Sequence, residues 1–275
     1  MMINSPLTRL ACFIFLTLTA LPVALAGSFD KDFAVVFIDQ NTEARFGSMP
    51  LNRSLLAKGV NAIADAGARG LIVKFFFDQA RDEKDDKRLA DSLSRIKTVL
   101  QARIDNSEIA PNPLAEKFTL PGSFKTAVTG SSGWIPLPTL AQNATDIGFV
   151  DFNSTFVPMV EQYKSRNVKS LVLCAVELAA NAKANILEGK QITIGSHLIK
   201  LNETNQVVVK LSATQLEKSL SFDALLDGSA KQELSGKIVI LAYDGPHIDK
   251  YETVWGAMGA HRYFVNILRS IYDAR

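Results

Sequence analysis

The sequence predicts an α/β domain in which helices flank a central mixed, largely parallel sheet, with a small antiparallel excursion. Three observations predict it. Phe33 to Ile38 (FAVVFI) is a continuous apolar run and Lys237 to Tyr243 (KIVILAY) is apolar after its first residue, as suits strands covered on both faces. Phe33 to Phe77 reads as one strand-helix-strand unit, with a crossover long enough for parallel pairing. Short segments between Gln191 and Leu211 read as antiparallel strands. Helices alternating with apolar strands around such an excursion form one layered domain, here residues 27–275.

The elements follow in order. Met1 to Ala26 has the parts of a secretory signal: Arg9 in the n-region, an apolar stretch from Leu10 to Val23 broken at Pro22, and Ala24-Leu25-Ala26 before Gly27. The apolar stretch is shorter than the roughly 20 residues a membrane span needs. Cleavage after Ala26 predicts a periplasmic or secreted product. Removing 26 of 275 residues leaves 249, enough to bury a full core. Cys174 is then the one cysteine left, so no internal disulfide forms and packing carries stability.

After the first strand, Asn52 caps a helix with Leu55, Leu56, Val60, Ile63 and Ala64 on one face and Gly67 as its stop. Leu71 to Phe77 (LIVKFFF) is the second strand. A charged helix over Asp85 to Arg95 and a third strand over Thr98 to Ile104 come next. Pro111, Pro113, Pro121, Pro136 and Pro138 mark a turn-rich excursion whose Phe118, Phe124 and Trp134 need burial. A short helix over Pro138 to Asp146 leads into a strand from Ile147 to Phe152. Val168 to Ala182 predicts a long helix, and Gln191 to Ile194, His197 to Leu201 and Gln206 to Leu211 three antiparallel strands. The last helix lies near Met258 to Tyr272. The first and last apolar strands are expected to share a sheet.

Three apolar strands end in a carboxylate: Asp39, Asp78 and Asp244. Ligands of open α/β sheets bind beyond the carboxyl ends of the strands. Neighbouring strands would gather these acids at one edge with Glu43, Arg53, His247 and Asp249, forming a polar cleft. The plainer reading is that Asp is a favoured turn residue after a strand. Lys74 is anomalous inside LIVKFFF, on the face of Ile72 and Phe76. A buried ammonium needs a carboxylate or an escape to the edge, so pairing with Asp39 or Asp244 is expected.

Other chemistries find little support. Formal charge is +2, falling to +1 without Arg9, with no Lys/Arg block, so no nucleic-acid partner is expected. His197, His247 and His261 lack metal-ligand spacing, and no G-x-S-x-G, Walker or G-x-G-x-x-G element is present. No catalytic residue, metal site or cofactor is predicted. Cys174 lies on the apolar side of its helix, which points to packing. Four N-x-S/T segments start at Asn52, Asn143, Asn153 and Asn202.

The ordered landmarks resemble the type-2 CHASE domain, the cyclase- and histidine-kinase-associated sensory extracellular domain of bacteria. The first strand ending in Asp39 looks like that family's opening strand and acid. Gly47 to Arg53 (GSMPLNR) is similar to its G-x-W-P-W-x-R element, with Met49 and Leu51 for the tryptophans. Gly67-Ala68 before LIVKFFF, Asp86 to Ala90 (DKRLA), Leu137 to Val150, Leu234 to Ile240 (LSGKIVI) and Asp249 to Thr253 (DKYET) with Gly259 follow in the family's order. The departures are Lys74 where the family usually has an acid, Val254 for a proline, Tyr263 to Val265 (YFV) for "HAN", and no recognisable "D.dG..R" after Gly148.

The resemblance implies a sensory module that binds a small ligand or a membrane partner. Family members are usually followed by membrane helices and a cytoplasmic effector, whereas this sequence ends at Arg275. The expectation is a stand-alone member feeding bacterial signal transduction through an inner-membrane partner. A metal-assisted hydrolase using Asp39, Asp244 and Asp249 and a non-catalytic interaction protein are the alternatives.

Overall fold

The computed structural model describes residues 28–151, 156–209, 211, 218–253 and 256–274. The signal segment, the sequon at Asn153, Phe152 and Val254 lie outside the described residues. In the main sheet we number β1 (Phe33–Asp39), β2 (Gly70–Lys74), β3 (Thr98–Asp105), β4 (Ser132–Trp134), β5 (Asp146–Phe149), β6 (Ser219–Ser221) and β7 (Ile238–Asp244). Its order is β6-β1-β7-β2-β3-β4, with β5 also on β3. The pairings are parallel except β3 with β4. The sheet is therefore mixed and largely parallel, as the apolar runs predict. The first and last apolar strands are neighbours, paired from Phe33↔Ile238 to Asp39↔Asp244.

The four longest described helices cover the sheet: α1 (Arg53–Asp65), α2 (Glu83–Leu93), α3 (Leu171–Ala180) and α4 (Ala260–Asp273). Strand alternation sorts the core into two layers. Val36, Ile38, Val73, Leu100 and Leu241 pack with Leu56, Val60 and Leu89 of α1 and α2. Val35, Phe37, Ile72, Val99 and Ile240 pack with Val172, Phe264 and Leu268 of α3 and α4. The local signals work as the sequence implies at α1, where the Asn52 side chain accepts from the Ser54 N–H and Gly67 stands at φ 76°.

Several boundaries differ from expectation. β2 stops at Lys74, because pairing to β7 ends at Ala242↔Lys74 and pairing to β3 at Val73↔Leu100. Phe75 and Phe77 then pack edge to face at 5.3 Å, while Phe76 meets Trp134 at 4.6 Å. Asp78 consequently does not end a strand; its carbonyl accepts from Asn112 Nδ2. The helix expected from Val168 starts at Leu171, since Arg166–Lys169 is a strand and the Ser170 hydroxyl caps the Leu173 N–H. The helix at Pro138 spans Pro138–Ala141, leaving Asp146 to open β5. Met258 belongs to a hairpin of Lys250–Thr253 with Gly256–Gly259, ahead of α4.

The excursion is antiparallel apart from one edge pairing. Thr119–Leu120, Arg166–Lys169 and Val160–Tyr163 form a small sheet joined in parallel by Thr129–Gly130. Gln191–Ile194 pairs with His197–Lys200 and with Asn185–Leu187. Gln206–Val208 instead joins Phe156–Pro158.

Candidate functional site

The carboxyl ends of the parallel strands carry polar side chains on both faces of the sheet. Asp39 and Asp244 are register partners on β1 and β7, but each has local work. Asp39 Oδ1 caps the helix Gln40–Phe46, accepting from the Thr42 N–H at 2.9 Å. Asp244 Oδ2 accepts from Arg262 Nε at 2.6 Å, and that guanidinium lies 4.5 Å from the Phe37 ring centroid.

On the α1/α2 face, Glu43 Oε1 accepts from the Met49 N–H at 2.6 Å and from the Tyr243 hydroxyl at 3.2 Å, and the His247 N–H donates to that hydroxyl. Arg53 is buried, ion-paired with Asp86 and hydrogen-bonded to the Gln79 carbonyl. Its charge is thus committed to the start of α2, away from the strand-end acids it was expected to join. Its guanidinium also lies over Phe77 at 5.5 Å. A cavity of about 350 Å³ opens here, lined among others by Phe75, Phe77, Arg81 and His247.

Lys74 points the other way. Alternation places it with Ile72 on the α3/α4 face, where it is 5% exposed. The expected pairing with Asp39 or Asp244 does not form. Lys74 Nζ donates to Gln101 Oε1 at 2.6 Å and sits 5.1 Å from the Phe264 ring centroid. The reason is lateral position: β3 lies beside β2 and carries Gln101 on the same face, while Arg262 already occupies Asp244. Burial, and then the nearby Arg103, pull the Lys74 pKa down to about 7, with Asp151 opposing.

A cavity of about 420 Å³ opens beside Lys74, lined among others by Gln101, Arg103, Asp151, Asp249 and His261. Arg103 Nε faces Asp151 Oδ1 at 3.7 Å, and Asp151 Oδ2 accepts from the Ile104 N–H at 2.7 Å. His261 Nδ1 accepts from the Tyr243 N–H at 3.0 Å, which places the proton of the neutral ring on Nε2. Burial and then Lys74 hold the His261 pKa well below the usual range. Behind Asp151, Glu161 is fully buried, with neither carboxyl oxygen in a hydrogen bond of ordinary geometry. Burial and the Asp151 charge push its pKa well above that of an ordinary carboxyl, favouring the neutral acid.

The predicted residues thus fall into three groups: Lys74 and Asp249 at this cavity, Glu43, Arg53 and His247 across the sheet, and Asp39 with Asp244 between them. Gln101, Arg103, Asp151, Glu161 and His261 escaped sequence reasoning. Gln101 and Glu161 were detectable as polar residues inside strand-like runs. His261 was not, because only the packing of α4 against β7 brings it there. Among the described residues, no three His, Cys, Asp or Glu side chains come close enough to hold a metal ion, so Asp39, Asp244 and Asp249 make no metal-binding set. Among the described residues no helix is long and apolar enough to cross a membrane.

No curated protein and no solved structure matches the chain. The family model described as the CHASE2 domain matches residues 12–272, nearly the whole sequence. The chain accordingly belongs to the CHASE2 family of sensory extracellular domains.

Proposed function

We propose that residues 27–275 form an extracytoplasmic sensory domain, exported by cleavage after Ala26, that binds a small ligand in the cavity beside Lys74. Ligand occupancy is then passed to an inner-membrane signalling partner. The observation that carries this reading is a buried ammonium with spare donors, facing a cavity at the carboxyl end of β2 and over the face of β3. That is where open α/β sheets bind ligands, and a volume of several hundred Å³ suits a small molecule. A structural role alone would not favour leaving a lysine there, since an apolar residue of similar size packs at lower cost.

The test is thermal unfolding of the mature protein across metabolites and ions. A ligand at a hundred times its Kd adds about 2.7 kcal/mol of stability. No shift across the panel, together with no membrane protein retained by the immobilised domain, would overturn the reading. Sequencing the N-terminus of the exported protein tests cleavage before Gly27.

A further inference from the structure

The groups lining the Lys74 cavity also indicate the charge of what it takes, an inference that rests on the sensory reading above. An ammonium has three N–H donors. Gln101 Oε1 accepts one from Lys74 at 2.6 Å, and among the described residues Lys74 makes no ion pair. Phe264 offers a ring face but no acceptor of comparable strength. The neighbouring charges leave a positive excess at the inner end. Arg103 and Asp151 face one another at 3.7 Å and offset each other, and Asp151 is further held by the Ile104 N–H. Glu161 behind it favours the neutral acid. Asp249, the other carboxylate lining the cavity, is solvent-exposed. His261 adds a donor, because the Tyr243 N–H occupies Nδ1 and leaves the proton on Nε2.

We infer that the cavity takes a small organic acid whose carboxylate accepts from Lys74 Nζ and His261 Nε2. Ligands without an anionic group do not match the lining: a neutral sugar leaves the buried ammonium unbalanced, and an amine adds like charge beside it. The titratable and charged groups around Lys74 are Arg103 and Asp151 from the sheet side, His261 from α4, and Asp249 and Tyr251, which line the same cavity. With its pKa near 7, the free amine is about half charged at neutral pH. A bound carboxylate favours the charged form. Affinity should therefore be level well below pH 7 and weaken about tenfold for each pH unit above it.

The experiment is calorimetry on the mature protein with acetate, pyruvate and succinate, against glucose and putrescine, at pH 6, 7 and 8.5 in two buffers of different ionisation enthalpy. The expected result is binding of acids alone, with buffer-dependent heat that reports about half a proton taken up at pH 7. Lys74→Met should fold, as a buried charge replaced by an apolar isostere is tolerated, and should lose acid binding and proton uptake together. Acids that bind equally at pH 6 and 8.5, or equally to K74M, would overturn the inference. So would binding of glucose or putrescine without the acids, which would leave the sensory reading standing. Silence of every acid at millimolar concentration also overturns it; the sensory reading then stands or falls on the wider thermal panel.

Discussion

Lys74 and Gln101 stand on adjacent parallel strands and face the same side of the sheet, with Nζ donating to Oε1 at 2.6 Å. A neutral amide thus takes the place of the carboxylate that usually accompanies a buried lysine. The amide gives one strong acceptor and no countercharge, so the desolvation of the ammonium goes largely uncompensated.

The first prediction follows from that imbalance. The Lys74 pKa is lowered from 10.5 to about 7 on folding. Between those values the unfolded chain binds the extra proton, so stability rises with pH across that window and the full cost is present below pH 7. Lys74→Met should stabilise the fold by roughly 1–4 kcal/mol at pH 6, with the gain shrinking as pH climbs toward 10. Urea midpoints at pH 6 and 9 measure it. Equal gains at both would mean that Lys74 is not desolvated in the folded state.

Glu161 gives a prediction of opposite slope. Its folded pKa is raised well above 4.5 by burial and then by Asp151. Here the folded chain holds the extra proton, so its contribution to stability is intact below pH 4.5 and lost as pH rises through the folded value. Glu161→Gln should leave stability at pH 4 nearly unchanged and raise it at pH 8 by about 1–3 kcal/mol. Denaturant titrations at the two pH values decide it.

Arg53 illustrates what the sequence made legible and what it did not. Its position at the head of a helix capped by Asn52 was readable from local pattern, and α1 begins there. So were the paired strands that bring Asp39 opposite Asp244, because long apolar runs require burial on both faces. The partner of Arg53 was not readable, because Asp86 lies 33 residues away on a different helix. The same holds for the Lys74 cavity. Its floor, Lys74, stood out as a charge in an apolar run, whereas His261 arrives from α4 and Asp151 from the end of β5, joined only by tertiary packing. Strand ends were misjudged where apolar residues continue past the ladder, as at Phe75 to Phe77.

Arg53 should behave as scaffold. Its pairing with Asp86 is buried on both sides, and removing one partner of such a pair costs roughly 3–5 kcal/mol. Asp86→Asn should therefore lower the urea midpoint sharply while leaving any ligand affinity of the folded fraction unchanged. A loss of affinity without a loss of stability would instead assign Arg53 to binding.

Lys169 sets up a comparison between two losses. Its ammonium contacts the Asp146 carboxylate and Glu177 Oε2, the latter at 2.8 Å, with all three groups nearly buried. Asp146 opens β5 and Glu177 lies on α3, so Lys169 ties strand to helix. Lys169→Met leaves the two buried carboxylates only the exposed Lys183 as counter-charge, at 3.6 and 3.3 Å, and should cost roughly 3–5 kcal/mol. Asp146→Asn keeps the Glu177 pairing and a hydrogen-bonding amide, so its cost should be smaller. Equal losses, measured by urea unfolding at pH 7, would show that Lys169 depends on Asp146 alone.

The role of Gly148 is steric and needs no charge. It sits in β5, and a Cβ there would lie 2.4 Å from Leu171 Cα and 2.8 Å from Leu171 N, both backbone atoms at the start of α3. The helix N-terminus cannot yield without breaking the Ser170 cap, which accepts from the Leu173 N–H at 3.2 Å. Gly70 offers the control. A Cβ there meets only the side-chain ends of Leu178 at 2.9 Å and Ile238 at 3.1 Å, which can rotate. Gly148→Ala should therefore destabilise by about 1–3 kcal/mol or more, as overpacking does, and Gly70→Ala by distinctly less. Thermal unfolding of both variants side by side tests the difference; equal effects would mean that β5 and α3 are free to part.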